Sequence, residues 1–315
     1  MARIGLKGIK IGHAEDKEAA TGCSVIIIEE GAVCGVEVRG SAPGTRETDL
    51  LEPINLVEKV HAILLSGGSA FGLDAACGIM KYLEEKNIGF NTGDAVVPIV
   101  PAAVIYDLNV GSSKIRPDFK MGYEACLKAT DEVTEGSVGA GTGATVGKYL
   151  GIQRAMKGGV GFYDIRLKDL YIGAMMVVNS LGDVYDSKSN KIIAGALNEQ
   201  KTGLAGYEEY INSTKNKIFP GQNTTIGVVF TNAKLTKVEA KKVAQMAHDG
   251  LARAVRPVHT MYDGDTIFVL SLGELTEDLS LIGELSARAV EKAVVNAVLK
   301  AESLCGVPSY KDVKI

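Results

Sequence analysis

The sequence contains no tryptophan, few cysteines and no long hydrophobic run. An odd number of cysteines without a Cys-x-x-Cys pair is typical of reduced thiols rather than of a disulfide framework. The five are Cys23, Cys34, Cys77, Cys126 and Cys305. No stretch approaches the ~20 apolar residues of a membrane span, and the charged N-terminus lacks the apolar core of a secretory signal. We therefore expect a cytoplasmic protein that does not enter a membrane.

The sequence also lacks a strong excess of one charge, because its 34 basic and 38 acidic residues give a net charge of only -4. Without a clustered basic stripe we expect no nucleic-acid partner. The four histidines, at positions 13, 61, 248 and 259, are dispersed and suggest no metal site. We expect neither a metal nor a cofactor, and we expect structural roles for His248 and for His259.

Glycine, by contrast, is abundant, with 37 residues that cluster rather than repeat. Gly67, Gly68 and Ser69 follow a short apolar strand (61–65) and precede a helical pattern that runs to about residue 86. A nucleotide site is the alternative, but the GxGxxG and Walker spacings are absent. The densest segment, GSVGAGTGATVG (136–147), contains Gly141 and Thr142 among small apolar residues. That composition favours close backbone approach over a flexible linker.

Hydrophobic periodicity predicts the main elements of the chain. We expect a hairpin over 23–40 that turns at Gly31, two strands within 158–186, and an exposed, processable connector over 187–222. After the connector come a strand (224–233), a helix (236–255) with a Thr236–Glu239 capping box, a strand (265–273) and a helix (279–302). No composition break isolates this last part, so we predict one domain over 1–315.

The Asn223–Thr224 pair lies where the polar connector gives way to a strand. A threonine at a chain terminus carries its own base, since an α-amine has a pKa of about 7.7–8.0. To become a terminus, Thr224 must attack the preceding carbonyl, shift the acyl group from nitrogen to oxygen and release it to water. The dipeptide alone also fits an ordinary strand start. A rival Asn-Ser pair stands at Ser180, but the residues after it suggest a turn.

Polar residues that could assist such a nucleophile lie elsewhere in the chain. Asp263 and Asp265 flank a glycine before a strand, where two close carboxylates would raise one another's pKa. A surface Asp-Gly turn is the alternative. Asn179 ends an apolar strand and could donate to an oxyanion, and Lys148 ends the glycine-rich segment and could hold a developing anion. Both also fit ordinary surface or turn positions.

Several long segments resemble the DmpA family of N-terminal-nucleophile aminopeptidases and amidases, which includes β-peptidyl aminopeptidases and nylon-oligomer hydrolase. The resemblance runs from about residue 10 to about residue 308. Its segments are SAPGTRETDLL (41–51), VHAILLSGGSAFGLDAACGIM (60–80), VPIVPAAVIYDL (97–108), GSVGAGTGATVGK (136–148), NTTIGVVFTNA and HTMYDGDTIF.

The resemblance implies a four-layer αββα sandwich of mixed α/β class and autocleavage into 1–223 and 224–315. It places the nucleophile at Thr224, as in the nylon-hydrolase branch, with helpers similar to Lys148, Asn179, Asp263 and Asp265. The aminopeptidase branch uses a serine nucleophile and a Ser-x-Glu pair, from which this sequence departs. The resemblance also implies a homo-oligomer, often a tetramer of processed protomers.

The sequence therefore predicts a self-processing amide or peptide hydrolase. The two glycine-rich segments are expected to line its pocket. The residues expected to bind a small peptide or amide substrate are Gly67, Gly68, Ser69, Gly141 and Thr142. Two alternatives stay open. One is an ornithine-acetyltransferase-like acyltransferase, and the other is an unprocessed binding protein on the same scaffold.

Overall fold

A computed structural model describes residues 2–212 and 223–313 of the chain. The strands are β1 (Ala2–Arg3), β2 (Ile9–Asp16), β3 (Thr21–Val38), β4 (Thr45–Arg46), β5 (Lys59–Ser66), β6 (Phe90–Asn91), β7 (Val96–Val97), β8 (Ala102–Val104), β9 (Glu132–Val133), β10 (Thr145–Val146), β11 (Met156–Lys157), β12 (Gly159–Leu167), β13 (Leu170–Asn179), β14 (Asp183–Asp186), β15 (Lys191–Ala194), β16 (Thr224–Ala233), β17 (Val255–Arg256) and β18 (Thr266–Leu275). The helices are α1 (Ala75–Glu85), α2 (Phe119–Leu127), α3 (Tyr207–Asn212), α4 (Lys237–Ala254) and α5 (Leu279–Lys300).

The long strand β3 runs through both layers of one folded nine-stranded sheet, which we call the two sheets, and the predicted hairpin over 23–40 is wrong. Residues 21–28 pair with β2 on one side and largely with β5 on the other, whereas residues 33–38 pair with β18. Gly31 has a φ of +69° and lies where the register shifts between Ile27 and Ala32. It therefore makes a bulge that re-aims the strand without reversing it.

Strand alternation sorts the side chains into three cores, which separate four layers. Between the two sheets lie Ile26, Ile28, Ile63, Val177, Ile226 and Phe268. The opposite faces pack against helices, with Val25, Ile27 and Leu64 under α1 and α2. On the other side Met176, Val178 and Val269 lie under α4 and α5. This order of layers confirms the predicted αββα sandwich.

The last third of the chain follows its sequence pattern closely. Strand β16 spans Thr224–Ala233, as predicted, and pairs in parallel with β18 and antiparallel with β13. The capping box forms in full, because Thr236 accepts from the Glu239 backbone and the Glu239 side chain accepts from Thr236. None of the helices in the described parts of the chain is long and apolar enough to cross a membrane.

Two other predictions need correction in the described residues. The connector over 187–222 is structured up to residue 212, because its apolar residues pack against the rest of the protein. Ala194 is buried in β15, and Tyr207 of α3 packs edge-on against Tyr149 with ring centroids 5.0 Å apart. Residues 213–222 lie outside the described residues. After Ser180 the chain forms strand β14 rather than a turn, and Ser180 Oγ donates to the Gly182 carbonyl at 2.8 Å.

The contact between α4 and α5 gives a stability prediction. A Cβ built on Gly250 would lie 1.9 Å from the Ala287 carbonyl oxygen, so Gly250→Ala must push the helices apart. We expect a loss of about 3 kcal/mol in the free energy of unfolding, in the range of overpacked cores. Urea unfolding measures it, and Gly203→Ala is the control, since its nearest neighbour lies 3.6 Å away. Equal unfolding midpoints for the two variants would contradict the close packing.

Candidate active site

Two neighbouring strands bring the predicted nucleophile and Asn179 together. Asn179 ends β13 directly opposite Thr224, which begins β16. In each strand the residue two positions away (Val177, Ile226) belongs to the core between the sheets, so both side chains face that space. Asn179 is fully buried and Thr224 is 3% exposed. The pair therefore lies inside the sandwich, at one end of the parallel β16–β18 ladder.

The carbonyl group of Asn223 receives two hydrogen bonds. The Thr224 hydroxyl donates to it from the following residue. The backbone N–H of Gly264 donates to the same oxygen at 2.9 Å, across a parallel bridge between Asn223 and Asp263. The hydroxyl thus lies against the carbonyl that it would attack, and a fixed donor already points at the oxygen where negative charge would develop.

Sequence reasoning missed Gly264, although it stands between the two acidic residues that were singled out. A Cβ at this position would lie 2.8 Å from Thr224 Oγ1 and 2.7 Å from the Ala42 carbonyl oxygen. A side chain here would press on the nucleophile from one side and on the 41–46 backbone from the other. The Asp-Gly-Asp motif was therefore the sequence feature that could have identified Gly264. Only a residue without a side chain allows this backbone to approach Thr224 so closely.

Lys148 is buried and bonded to Asn179. Its ammonium donates to the Asn179 carbonyl at 2.8 Å and to Asn179 Oδ1 at 2.9 Å. Burial lowers the pKa of Lys148 to about 7, while the charges of Asp263, Asp107 and Asp265 act in the opposite direction. Near neutral pH this lysine can therefore both hold and release a proton.

The side chain of Asn179 connects three segments. Its Oδ1 accepts from the Thr145 N–H at 3.0 Å, and its Nδ2 donates to the Tyr106 carbonyl at 3.1 Å. Tyr106 was not singled out from the sequence. The backbone donor that reaches the Asn223 carbonyl is the Gly264 N–H, and oxyanion stabilisation by Asn179 stays a prediction.

The two predicted carboxylates are both buried, at 2% exposure for Asp263 and 1% for Asp265. Asp265 accepts from the Thr225 N–H at 2.7 Å, and Asp263 accepts from Thr260. Among the described residues, the hydrogen bonds of these carboxylates thus involve Thr225, Thr260 and His259 rather than Thr224 itself. Burial and then the charge of Asp265 raise the pKa of Asp263 to about 6. A carboxyl with that pKa can exchange a proton near neutral pH.

Two histidines lie behind the acidic pair. His259 Nδ1 is 2.8 Å from Asp265 Oδ2, and the His259 N–H donates to the same oxygen at 3.1 Å. The ring of His248 packs edge-on against His259 at 4.8 Å and bonds to the Glu37 carbonyl oxygen. Burial lowers the pKa of His248 to about 4, so its ring is neutral at pH 7. His259 thus contacts Asp265 directly, whereas His248 contacts the ring of His259.

The predicted pocket residues fall into two groups. The first group, Gly67, Gly68 and Ser69, lies at a turn where Gly68 N–H donates to Asp107 Oδ1 at 2.7 Å. Gly141 and Thr142 are buried, and the Thr142 hydroxyl donates to the Gly139 carbonyl at 2.7 Å. The hydrogen bonds of Gly68 and Thr142 thus stabilise the turns in which these positions lie. Their contact with substrate stays a prediction.

Asp107 and Lys157 are two buried charged residues that sequence reasoning did not find. Asp107 accepts from Gly68 and from the Thr21 hydroxyl, both at 2.7 Å, and burial raises the pKa of its carboxyl. Lys157 donates to backbone carbonyls of the 141–144 segment, and burial lowers the pKa of its ammonium to about 7. An isolated Asp or Lys carries no sequence signal for burial, because such residues are mostly exposed.

The two buried lysines give a pH prediction for stability. Their pKa values of about 7 lie below the ordinary 10.5, so between pH 7 and about 10 the unfolded chain binds protons that the folded chain does not. The free energy of unfolding should therefore rise with pH across this window, by up to about 1.4 kcal/mol per pH unit for each lysine. Below pH 7 both states bind the protons and this slope disappears.

Urea unfolding of an uncleaved Thr224→Ala chain at several pH values measures the slope. Adding Lys148→Met should reduce it, because one group no longer titrates. Lys120→Met is the control, since this lysine is 83% exposed in its side chain. An unchanged slope in the Lys148 variant would contradict the burial of this charge.

Comparisons with known proteins show what the whole chain is similar to. A model of Peptidase family S58 matches residues 4–311. An uncharacterized aminopeptidase of Mycobacterium leprae (strain TN) is 41% identical, over 97% of this chain and 92% of the relative. A 6-aminohexanoate-oligomer endohydrolase of Agromyces sp. (strain KY5R) is 32% identical, over 96% of this chain and 86% of the relative.

Among solved structures, the L-aminopeptidase D-Ala-esterase/amidase of Ochrobactrum anthropi superposes with a TM-score of 0.71 at 17% identity, covering 95% of this chain and 86% of that one. That structure is described as a prototype for the serine aminopeptidases and a new variant among the Ntn hydrolase fold. At this identity the likeness concerns the fold, and it agrees with the layer order found here.

Proposed function

The chain belongs to peptidase family S58, and from that premise we propose that it cleaves its own Asn223–Thr224 bond and then hydrolyses amides with Thr224 as an N-terminal nucleophile. Membership confirms the resemblance to the DmpA family and makes the chain a peptide or amide hydrolase. The observation that carries the finer proposal is the Asn223 carbonyl, held between the Thr224 hydroxyl and the Gly264 N–H.

In the first reaction, Thr224 Oγ1 attacks the Asn223 carbonyl carbon and loses its proton to a nearby base. The Gly264 N–H stabilises the oxyanion, and the carbon–nitrogen bond to Thr224 breaks as its nitrogen takes up a proton. The product is an ester between Asn223 and the threonine oxygen. Water then hydrolyses that ester and leaves an Asn223 carboxylate, a free hydroxyl and a free Thr224 amine.

In the second reaction the freed amine serves as the base for its own hydroxyl, since an α-amine has a pKa of about 7.7–8.0. The substrate carbonyl takes the place of Asn223, so the Gly264 N–H faces its oxygen. The substrate acyl group passes to Thr224 Oγ1, its amine leaves with a proton, and water completes the hydrolysis.

The buried ionisable groups position the reacting residues and transfer protons. Lys148 holds Asn179 opposite the nucleophile and supplies a proton store near neutral pH. Asp265 fixes the backbone of Thr225, the residue after the nucleophile. Asp263, whose pKa is raised to about 6, relays a proton between the amine and solvent. Asn179 contributes a second donor to the oxyanion once cleavage has freed the site.

For the substrate we propose a short peptide or a linear amide oligomer. The names of the relatives, an aminopeptidase and a 6-aminohexanoate-oligomer endohydrolase, favour hydrolysis over the acetyltransferase-like alternative. The Thr224 nucleophile and the Asp-Gly-Asp pair follow the nylon-hydrolase pattern that the resemblance implied. Each processed protomer would consist of fragments 1–223 and 224–315 and would assemble into a homo-oligomer.

A substrate panel tests the proposal. Purified protein is incubated with short α-peptides, β-peptides and linear amide oligomers, and the released amine is measured with and without an added amino-acid acceptor. We expect amine release that does not depend on the acceptor. Transfer of the acyl group to the acceptor in place of hydrolysis would overturn it in favour of the acyltransferase.

A further inference from the structure

Lys157 is a buried lysine that the proposed chemistry does not use. It lies in β11 directly opposite Thr145 of β10 and is fully buried. Its ammonium donates to the carbonyls of Thr142 at 2.7 Å and Ala144 at 2.8 Å, and it lies 3.5 Å from that of Gly141. An ammonium has three donors, and all three point at one glycine-rich turn.

The segment that Lys157 holds leads directly to the nucleophile. Thr145 follows the last of the three carbonyls, and its N–H donates to Asn179 Oδ1 at 3.0 Å. Asn179 pairs with Thr224 in the sheet. The Lys157 ammonium donates to the Ala144 carbonyl, and the N–H of the next residue, Thr145, donates to Asn179. These two hydrogen bonds connect Lys157 with the residue that lies opposite the nucleophile.

The same turn is packed closely against the neighbouring backbone and against Asp107. A Cβ built on Gly143 would lie 2.1 Å from the Ala20 carbonyl oxygen and 2.7 Å from the Asp107 Cβ atom. Thr142 is fully buried, so its carbonyl, once deprived of the ammonium, would be a desolvated acceptor. A buried acceptor without a donor destabilises this backbone conformation and favours a shift of the turn toward another donor.

We propose that Lys157 is a positioning residue that fixes the 141–145 turn on its ammonium and thereby holds Asn179 in register with Thr224 for both self-cleavage and substrate hydrolysis. This inference rests on the proposed function. Among the described residues, the hydrogen bonds of the Lys157 ammonium go to the 141–144 carbonyls and not to the scissile carbonyl, so Lys157 acts through Thr145 and Asn179.

The charge of Lys157 also reaches the site. In the described part of the chain, the charges that act most strongly on the pKa of Lys148 are those of Asp263, Asp107, Asp265 and Lys157. The three carboxylates favour the protonated form of Lys148, whereas the Lys157 cation opposes it. Removing the Lys157 charge therefore raises the pKa of Lys148, a consequence that a purely structural role would not have.

The chain offers a matched control for the experiment. Lys237, at the start of α4, also donates to three backbone carbonyls, those of Leu50, Asn55 and Val57, at 2.8–3.1 Å. It follows the far end of β16, which at about 3.3 Å per residue lies roughly 30 Å from Thr224. Lys237→Met removes the same kind of contact from a loop that is remote from the site.

The experiment compares wild type with Lys157→Met, Lys157→Arg and Lys237→Met. Self-cleavage is followed by intact mass, and kcat, KM and the pH profile are measured on the cleaved forms. We expect Lys157→Met to slow cleavage and lower kcat by about 100-fold, as small misplacements near a reacting group do, with KM within about twofold of wild type. The limb of the profile that reports Lys148 should move to higher pH.

Lys157→Arg keeps a positive charge and several donors, so it should be at least tenfold faster than Lys157→Met. Lys237→Met should cleave at the wild-type rate. Cleavage of Lys157→Met at the wild-type rate would overturn the inference, as would an equal loss in Lys237→Met or a failure of Lys157→Met to fold. If the wild type itself stays whole, the proposed function fails instead, before Lys157 is tested.

Discussion

Replacing Thr224 with alanine should leave the chain in one piece and abolish amide hydrolysis. The variant lacks the hydroxyl that contacts the Asn223 carbonyl, so the bond cannot shift to an ester and no free amine appears. A hydrolase that loses its nucleophile loses roughly 10⁶-fold in rate, and here the base disappears with it. Intact-mass spectrometry and an amine-release assay measure the two effects.

Thr224→Ser is the matched variant, because it keeps the hydroxyl and removes only a methyl group. It should still cleave after Asn223 and retain measurable hydrolysis. Residual amide hydrolysis by Thr224→Ala at more than about 1% of the wild-type rate would place the nucleophile elsewhere. Cleavage of the alanine variant between residues 223 and 224 would contradict the mechanism outright.

The second large effect is expected from Gly264→Ala. Its Cβ would lie within 2.8 Å of both Thr224 Oγ1 and the Ala42 carbonyl oxygen, so the loop must move. That movement takes the Gly264 N–H away from the Asn223 carbonyl, where it now donates at 2.9 Å. Losing one oxyanion donor costs about 10²–10³ in rate, and we expect self-cleavage to slow by that factor.

The time course of cleavage, followed by intact mass from the first minutes after refolding, measures this rate. Gly203→Ala serves again as the control, since a methyl group there reaches only an ordinary van der Waals contact, 3.6 Å from Asn198 Nδ2. Because Gly264→Ala keeps the nucleophile, slow cleavage at the correct bond is expected rather than none. An unchanged rate would show that the Gly264 N–H does not serve the oxyanion.

Much of the fold could be predicted because local pattern and tertiary structure agree. Strand β16 and helix α4 carry a clear strand start, a capping box and an apolar stripe, and their predicted bounds match within two residues. Strand β3 shows where the pattern is insufficient. Gly31 marks a hairpin turn and a bulge equally well, and the choice depends on pairing with β18, which lies more than 200 residues away in the chain.

The candidate site was predictable in its side chains and not in its backbone. Thr224, Asn179, Lys148 and the acidic pair carry reactive groups, which a sequence displays. The Gly264 N–H and the carbonyls that Lys157 holds belong to the main chain, whose hydrogen bonds follow only from the fold. The burial of Asp107 and Lys157 likewise depends on tertiary packing, because nothing in their local sequence distinguishes them from surface charges.

The proposed mechanism requires cleavage of the Asn223–Thr224 bond. The intact mass of purified wild-type protein after prolonged incubation at pH 7–8 tests this cleavage most directly. We expect two species, residues 1–223 and residues 224–315, with the smaller one beginning Thr-Thr-Ile. Retention of one uncut chain that hydrolyses amides, or a new N-terminus at any other residue, would contradict the central claim.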